Sequence, residues 1–397
     1  MKRNIPSGWH SLEMKDFLKF TPREVKKPMD RYLSLGIRSH CKGTFIREVE
    51  NPDNVMMDSL FIVKKDDLIV NITFAWEGAV ALIKETDEGA FVSHRFPTYT
   101  FDRNIVIPEY FKYLIPSKRF IYELGIISPG GAGRNRVLNR KDFIHLQFIM
   151  PPIEEQKKIA DIFLTWDRAI ATLENLIDIK IKFNKGLMQK LLNNCSSKKF
   201  ILKDVAKIIS SNVDKKAYEN QKQILLCNYL EVYKNSYITR KLSFMNATAS
   251  DSEINRFSLN EDDVVITKDS ENPEDIGVSA VVTEKLQGVV CGYHLAIIRI
   301  DKSKINPIYF AKTIMSAKVK KQFYKYANGV TRFGLSISDV GKIEFFAPNI
   351  AEQKKIAFLL KALDKEIMLL GFKLDFLRNQ KKGLTQKLLN GRIRVRV

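Results

Sequence analysis

The sequence predicts a mixed α/β protein of the α+β kind, with two globular domains separated by two long antiparallel helices that form a coiled coil. Three observations support this fold class. The chain has 397 residues, which is too long for one domain of common size. One of its segments recurs at a fixed interval. That segment has the apolar period of a long helix.

The internal repeat is the strongest pattern in the chain. PPIEEQKKIA, which begins at Pro151, recurs as PNIAEQKKIA from Pro348, an offset of 197 positions (348 − 151). Farther on, KGLMQKLLN recurs as KGLTQKLLN at the same offset. From Pro151 to Asn193 the copies align without a gap and share 20 of 43 residues, counted position by position. A common origin therefore explains them better than coincidence.

Upstream of these segments the similarity is fainter. KDDLIVN from Lys65 faces EDDVVIT from Glu261, and PEYF from Pro108 faces PIYF from Pro307. Each half is therefore a variable globular domain followed by a shared helix. The predicted boundaries are 1–150 for the first domain, 151–194 for the first long helix, 195–347 for the second domain and 348–397 for the second long helix.

The repeated segments carry apolar residues at spacings of three and four, which predicts one apolar face on a helix. The two stripes are Ile159, Ile162, Phe163, Trp166, Ile170, Leu173 and Ile177, and Ile356, Leu359, Leu360, Leu363, Ile367, Leu370 and Leu374. About 40 residues at a rise of 1.5 Å would reach roughly 60 Å. Such helices need a partner, so we expect the two copies to pack against each other as a coiled coil. Antiparallel packing would relate the halves by an approximate two-fold axis.

The globular halves have one order of elements. Runs such as LFIVKKDDLIVNITFAW and GVVCGYHLAIIRI have the β-branched and aromatic content of strands. Helical periods follow, each ending near a glycine. The loops SPGGAGRNRVL and ANGVTRFGL come next, then a short strand that leads to proline and the long helix.

Charge and composition point to a nucleic-acid partner. The 65 Lys and Arg against 45 Asp and Glu give a net charge of +20, which attracts polyanions. The four cysteines, Cys41, Cys195, Cys227 and Cys291, have neither zinc-ligand nor disulfide-framework spacing. The sequence shows no signal peptide and no stretch long enough to span a bilayer. We therefore predict a cytoplasmic protein without a metal and without a membrane partner.

Motifs for catalysis are missing from the sequence: it has no P-loop, no G-x-S-x-G, no H-E-x-x-H and no Asn-Pro-Pro-aromatic tetrad. We predict a binding protein rather than an enzyme. Two alternatives stay open at this point. One is a monomeric enzyme that acts on nucleic acid through an active site in one domain, with the pairs Asp66-Asp67 and Asp262-Asp263 as metal ligands; purified chain would then show metal-dependent cleavage or methylation without partners. The other is a coiled-coil scaffold that does not bind duplex DNA.

A proline, then Glu-Gln, then an amphipathic helix that ends in Lys-Leu-Leu, repeated after two dissimilar domains, resembles the specificity subunits of Type I restriction-modification systems. The resemblance spans the whole chain. It implies two target recognition domains that bind a bipartite, asymmetric site in double-stranded DNA. It also implies docking of two modification (methyltransferase) subunits and of restriction (endonuclease) subunits. S-adenosylmethionine, ATP and Mg belong to those partners, and this chain needs no cofactor.

The same resemblance assigns roles to the proline, glutamate and glutamine of each repeated signature, and the apolar stripe adds Trp166 and Leu363 as residues of the helix core. The predicted docking and helix-core residues are Pro151, Glu155, Gln156 and Trp166 in the first copy and Pro348, Glu352, Gln353 and Leu363 in the second.

Candidate DNA-binding residues lie in loops that combine cations with amides. Arg and Lys match guanine edges, and Asn and Gln match adenine edges, while cations and small donors hold phosphates. The candidates are Arg38, Ser39, Lys42, His94, Arg95, Arg134, Asn135 and Arg136 in the first domain and Asn328, Thr331 and Arg332 in the second. Gly130, Gly131 and Gly133 would let backbone amides approach a phosphate.

Overall fold

The structure is a computed structural model that describes residues 5–131, 135–193 and 198–396. The chain forms two compact units. Unit 1 consists of Met1–Leu173 and Lys373–Val397, and unit 2 consists of Glu174–Phe372. Each unit therefore contains one globular region together with parts of both long helices.

The globular region of unit 1 is mostly β-structure with short helices. Strands β1 to β11 are His10–Glu13, Leu18–Phe20, Glu24–Lys26, Tyr32–Ile37, Thr44–Val49, Ser59–Ile62, Leu68–Val70, Val80–Leu82, Phe91–Val92, Thr98–Phe101 and Gln147–Met150. Helices α1 to α3 are Pro108–Phe111, Lys118–Ile126 and Arg140–Phe143, and the first long helix, α4, is Ile153–Asn193.

The globular region of unit 2 has the same mixture. Strands β12 to β23 are Lys198–Ile201, Ala206–Ser210, Lys222–Cys227, Tyr237–Ile238, Met245–Ala249, Val264–Thr267, Asp269–Ser270, Ser279–Val282, Val289–Cys291, Leu295–Ile300, Phe333–Gly334 and Glu344–Ala347. Helices α5 to α9 are Tyr229–Tyr233, Asp251–Phe257, Pro307–Ile314, Ala317–Tyr326 and Ile337–Gly341, and the second long helix, α10, is Ile350–Leu389.

The central sheets of the two units correspond strand by strand. Unit 1 has the order β2-β10-β7-β8, and unit 2 has β13-β21-β17-β19 with β15 added at the edge. The central strands β7 and β17 are buried along their whole length, which explains their unbroken apolar sequences. A second sheet contains a parallel pair in each unit, β4 with β9 and β14 with β20. The two domains are therefore copies of one α+β architecture.

A two-stranded ladder closes each globular region at the start of a long helix. His10 pairs with Met150 in unit 1, and Lys198 pairs with Ala347 in unit 2. The next residue in each copy is the proline of the repeated signature, Pro151 or Pro348, and the long helix begins two residues later. The ladder thus fixes where the chain enters the helix.

The long helices pack against each other in both units. In unit 1, Asp167 of α4 forms an ion pair with Lys381 of α10, and Ile159 shares a core with Leu388. Positions that increase along α4 therefore meet positions that decrease along α10. This is the predicted antiparallel pairing.

Unit 2 contains the other part of each helix. Lys180 pairs with Glu366 at 2.8 Å, and the Asn184 amide donates to Asp364 at 2.8 Å. The direction is again antiparallel. With the mixed sheets described above, this confirms the predicted fold class.

All but one of the 14 residues of the predicted apolar stripe are buried or half-buried, and six of them are fully buried. Ile159, Phe163, Leu173, Ile356, Leu360 and Leu374 are buried. The assignment of Leu359 to this face was wrong, because this side chain is 42% exposed. Leu359 directly precedes buried Leu360, so a rotation of about 100° per residue turns it toward the flank. No helix in the described part of the chain is both long and apolar enough to cross a membrane.

Candidate nucleic-acid interface

In unit 1, three loops meet at the end of β7. The amide of Ile72 donates to the carbonyl of Arg95 at 3.1 Å, and the carbonyl of Ile72 accepts from the amide of Leu138 at 2.8 Å. Arg95 lies shortly before β10, and Leu138 follows the glycine-containing loop. Two sequence segments that separately predicted DNA contacts, one with His94 and Arg95 and one with Asn135, therefore form one surface.

Unit 2 repeats this arrangement bond for bond. The amide of Lys268 donates to the carbonyl of His294 at 2.9 Å, and its carbonyl accepts from the amide of Leu335 at 3.0 Å. His294 directly precedes β21, and Leu335 follows the loop that contains Arg332. We call the three loop segments that these backbone bonds join, at Ile72 in unit 1 and at Lys268 in unit 2, the three-loop frame of each unit.

Both frames depend on a glycine. Gly130 has φ 148° and Gly329 has φ 143°, in a region that other residues avoid. A Cβ on Gly130 would lie 2.6 Å from the carbonyl oxygen of Asn135, and one on Gly329 would overlap the Arg332 carbonyl. The predicted contact Arg134 lies outside the described residues.

His94 and Arg95 lie on the surface of the first frame. Both side chains are exposed. The His94 carbonyl accepts from Arg140 at 2.9 Å, and Arg95 Nη1 lies 3.4 Å from Thr73 Oγ1. Arg95 therefore has one weak contact and a solvent-exposed guanidinium, as a DNA contact requires.

The turn between β4 and β5 contains three other candidates. Arg38 Nη1 donates to the Thr44 carbonyl at 2.7 Å, and Ser39 Oγ donates to Glu77 at 2.6 Å. Lys42 is exposed and forms no hydrogen bond or ion pair with the residues that the structure describes. Its ammonium is the group in this turn that is available to a phosphate.

The guanidinium of Arg136 is held by contacts within the protein. Its Nε donates to the Ser128 carbonyl at 2.9 Å, and its Nη2 donates to the Gly125 carbonyl at 2.6 Å. The guanidinium lies 4.9 Å from the Trp76 ring centre. These contacts hold the end of α2 to the loop, and the neighbouring Asn135 is exposed.

In unit 2, Arg332 belongs to a cluster that sequence reasoning did not identify. Its Nη2 donates to Asp269 Oδ1 at 3.1 Å and lies 2.8 Å from His294 Nδ1. His294 Nδ1 also hydrogen-bonds Asp269, and the Tyr293 ring contacts the imidazole. Burial lowers the pKa of His294 and outweighs the hydrogen bond to Asp269, which raises it. The net shift is downward, which favours the neutral imidazole.

The other candidates of unit 2 lie on the same loop. Asn328 pairs with Gly334 through two backbone hydrogen bonds of 3.0 and 2.9 Å, and its amide donates to the Tyr326 carbonyl at 3.1 Å. Thr331 is exposed at the tip of the loop. Both face solvent beside Arg332.

A tyrosine pair on α5 was also missed. The rings of Tyr229 and Tyr233 stack with centres 5.4 Å apart, and Tyr233 is 41% exposed. Tyr229 Oη donates to Ser270 at 3.3 Å, one residue beyond Asp269. The segment LLCNYLEVY contained the signal, since tyrosines four apart lie on one face of a helix.

The helix before each glycine loop differs in charge between the units. In unit 2, α8 reads AKVKKQFYKY, with Lys318, Lys321 and Lys325 exposed and no acidic residue. In unit 1, α2 has Arg119 paired with Glu123 at 3.7 Å. Lysines on α8 are suited to phosphates, which fix register without reading sequence.

The Asp pairs considered as metal ligands have structural roles. Asp66 and Asp262 adopt positive φ in tight turns. Asp67 is buried and accepts both Arg23 nitrogens at 2.5 and 3.0 Å, and Asp263 accepts Arg299 at 3.1 Å. Within the described ranges, no group of three or more His, Cys, Asp or Glu is placed to hold a metal. This geometry gives no support to the metal-enzyme alternative.

The repeated glutamines are buried anchors. Gln156 Oε1 accepts from the Ile107 amide at 3.1 Å, and its Nε2 donates to the carbonyls of Ile105 and Pro151, both at 2.9 Å. Gln353 makes the same three bonds in unit 2, to Asn306, Lys304 and Pro348, at 2.9, 3.1 and 2.8 Å. These bonds tie each long helix to its own globular region, so neither glutamine is exposed to a docking partner.

The glutamates of the signature differ. Glu155 is 1% exposed and accepts from Trp9 at 3.0 Å and from Arg394 at 2.7 and 2.8 Å. Burial raises the pKa of Glu155, but the hydrogen bonds from Arg394 and Trp9 outweigh it and the net shift is downward. Glu352 is only half-buried, as are Trp166 and Leu363, while Pro151 and Pro348 are buried.

Comparison with known proteins identifies the family. The family model for the Type I restriction modification DNA specificity domain matches residues 6–182 and 196–374. The MjaVIII specificity subunit of a type I restriction enzyme from Methanocaldococcus jannaschii is 24% identical over 417 residues, covering 99% of this chain and 94% of that protein. The MjaX specificity subunit from the same organism is 24% identical over 309 residues, covering 74% and 70%.

Solved structures share the fold. The HsdS subunit from Thermoanaerobacter tengcongensis has a TM-score of 0.51 at 14% identity, with 99% of both chains covered. The S subunit of a Type-I restriction-modification system from M. genitalium has a TM-score of 0.58 at 16% identity, covering 98% of this chain and 97% of that one. Because the family model matches both halves of the chain, the protein belongs to the family of Type I restriction-modification DNA specificity subunits.

Proposed function

We propose that the two globular regions bind the two halves of one bipartite, asymmetric target in double-stranded DNA. The observation that carries this proposal is the three-loop frame, which occurs in both units with different exposed side chains. A common backbone gives both units the same way to approach DNA. Different side chains give them different base preferences.

Affinity in this proposal comes largely from phosphate contacts. The net charge is +20, and Lys42 and the α8 lysines are exposed near the frames or just before their loops in sequence. Binding should therefore weaken steeply as salt increases. Such a protein works in the cytoplasm, where its DNA target lies.

The chain is a DNA-recognition subunit and not an enzyme of its own. We propose that two modification subunits bring S-adenosylmethionine and methylate an adenine in each half-site. Restriction subunits, which use ATP and Mg, join the complex when methylation is absent.

Docking of the modification subunits is proposed on the exposed faces of the long helices. In unit 2 these faces carry large apolar side chains, which mark interaction surfaces when they cluster. They are Leu176, Ile179, Ile181 and Phe183 on α4 and Phe358, Leu359, Met368, Leu369 and Phe372 on α10. Phe358→Glu or Phe372→Glu should abolish co-purification with a modification subunit. Met56→Glu, at a side chain 98% exposed outside the helices, is the matched control.

Genome-wide mapping of methylated adenines, in cells with and without this gene, tests the function. The gene should be required for methylation at one motif, composed of two short blocks separated by unread base pairs. An identical methylation map in both strains would overturn the proposed function.

A further inference from the structure

We propose that Asp269, His294 and Arg332 form the base-recognition centre of the second domain, in which Arg332 contacts a guanine of the target. The inference rests on the proposed function and goes further, because it assigns one base type to one side chain. It also adds Asp269 and His294 as positioning residues.

The three side chains come from the three loops of the frame in unit 2. Asp269 is the first residue of β18 and pairs with Gly334 of β22. Gly334 lies two residues after Arg332, so this pairing brings the loop of Arg332 to Asp269. The side chains of Asp269 and His294 are only 19% and 12% exposed, whereas that of Arg332 is 57% exposed. The carboxylate and the imidazole are therefore mostly buried, and the guanidinium of Arg332 is the donor group of this cluster that is exposed to solvent.

Asp269 and His294 hold that head in place. The guanidinium contacts the Asp269 carboxylate and lies against the imidazole, so fewer conformations are lost when it binds. A planar fork fixed in this way matches the N7 and O6 acceptors of guanine. A lysine at this position would lack the planar fork that presents two nitrogens in a fixed geometry.

The charges around His294 act in both directions. Arg332 and Lys215 lower the pKa of the imidazole and Asp269 raises it, and with burial the net shift is downward, which favours the neutral ring. With His294 neutral, the Asp269 carboxylate is shared between a neutral ring and one cation. A protonated ring would compete with Arg332 for that carboxylate and repel the guanidinium.

Unit 1 has other side chains at the equivalent positions. Thr73 replaces Asp269, Arg95 replaces His294, and Asn135 replaces Arg332 at the offset of 197. Among the described residues, these equivalent positions of the first frame carry no carboxylate that could orient a cation, and Asn135 presents an amide. A guanine contact at this loop position is thus expected from the second domain.

Selection of duplexes from a random pool by the full-length chain tests the inference. The unaltered chain should enrich two blocks. Arg332→Gln and Arg332→Lys should both reduce the preference for guanine at one position of one block about tenfold or more, the usual discrimination of a bidentate contact. The other block should be unchanged. Asp269→Asn should weaken preference at the same position while affinity for unrelated duplex is kept.

Arg240→Gln is the matched control, because Arg240 is also exposed and paired with a carboxylate, Glu284 at 2.9 Å. It should leave both blocks unchanged. If Arg332→Gln weakened binding to all sequences equally, Arg332 would be a phosphate contact, and if Arg332→Lys kept the guanine preference, the planar fork held by Asp269 would not be what recognises the guanine. In either case the inference would fall while the proposed function stood. If the unaltered chain enriched no motif, the proposed function itself would fail and the inference with it.

Discussion

At the end of its central strand, unit 1 presents Thr73 and Arg95, whereas unit 2 presents Asp269 and His294 at the same backbone positions. The backbone hydrogen bonds around these residues agree within 0.2 Å between the units, at 3.1 and 2.9 Å for one pair and 2.8 and 3.0 Å for the other. A frame held by backbone bonds does not depend on which side chains these positions carry. The comparison shows how two domains can share a fold and still recognise different sequences.

The signature glutamines show the opposite behaviour. Gln156 and Gln353 make the same three bonds, and neither side chain is exposed. Each satisfies one backbone amide and two backbone carbonyls. Substitution is restricted where a side chain forms the hydrogen bonds of buried backbone groups. It is less restricted where the backbone groups hydrogen-bond to one another.

The largest expected effect is a loss of stability when either buried glutamine is replaced. Gln156→Leu leaves one amide and two carbonyls buried without partners, at about 1–3 kcal/mol for each group, so unfolding free energy should fall by about 3 kcal/mol or more. Gln353→Leu should have an equal effect. All three tryptophans, Trp9, Trp76 and Trp166, lie in unit 1, so their fluorescence in a urea titration follows that unit, and far-UV circular dichroism follows the whole chain.

Gln189→Leu and Gln386→Leu are the controls, since both residues are exposed and equivalent in the repeat. The anchor role would be refuted by midpoints for the buried substitutions that equal those of the controls.

The glutamates of the signature should respond unequally. Glu155→Gln removes a buried carboxylate from Arg394 and should lower stability at pH 7 by about 2 kcal/mol, less than for a fully buried pair because Arg394 is partly exposed. The folded-state pKa of Glu155 lies below its usual 4.5. Its contribution is therefore present above pH 4.5 and is lost as the pH falls through the folded-state pKa.

Urea titrations at several pH values check this prediction. Glu155→Gln should flatten the acid decline of the tryptophan-detected transition, while Glu352→Gln should change stability less. An equal loss in both variants would contradict the difference in burial between the two units.

A smaller expected effect is a difference in ion-pair coupling energy between two aspartates at equivalent positions of the repeat. Asp364 pairs with Lys312 at 2.6 Å, with side chains 17% and 15% exposed, and Asp167 pairs with Lys381, with side chains 40% and 22% exposed. Double-mutant cycles with Asn and Met should give a coupling of about 1–2 kcal/mol for the first pair and about 0.5 kcal/mol for the second. Reversed values would show that exposure does not determine these couplings.

The smallest effect concerns DNA rather than stability. Lys321→Gln should reduce the slope of log affinity against log salt by about 0.9, the value for one lost phosphate contact. Stability should not change. Lys373→Gln, at an exposed lysine of α10, should leave the slope as it was.

Much of the fold could be predicted from the sequence, because the duplication and the apolar stripe are local patterns. The bonds of Gln156 to Ile105 and Ile107 could not, since they join positions about 50 residues apart. The site divided in the same way. Arg95 and Arg332 were identified as exposed cations near turns, but Asp269 and His294 gain their meaning only when the frame brings them to Arg332. Arg136 was predicted as a DNA contact from its residue type and its loop, but its guanidinium donates to backbone carbonyls at the end of α2.

Hydrogen–deuterium exchange of the full-length chain, with and without bound duplex at low salt, tests the central claim most directly. The account predicts slower exchange on DNA binding in both frames, at residues 93–95 and 135–138 of unit 1 and at residues 269–272, 292–294 and 328–335 of unit 2. It also predicts slower exchange at residues 38–43 of unit 1 and 228–233 of unit 2, which carry the other candidate contacts. Protection confined to one unit, or to the long helices alone, would contradict it.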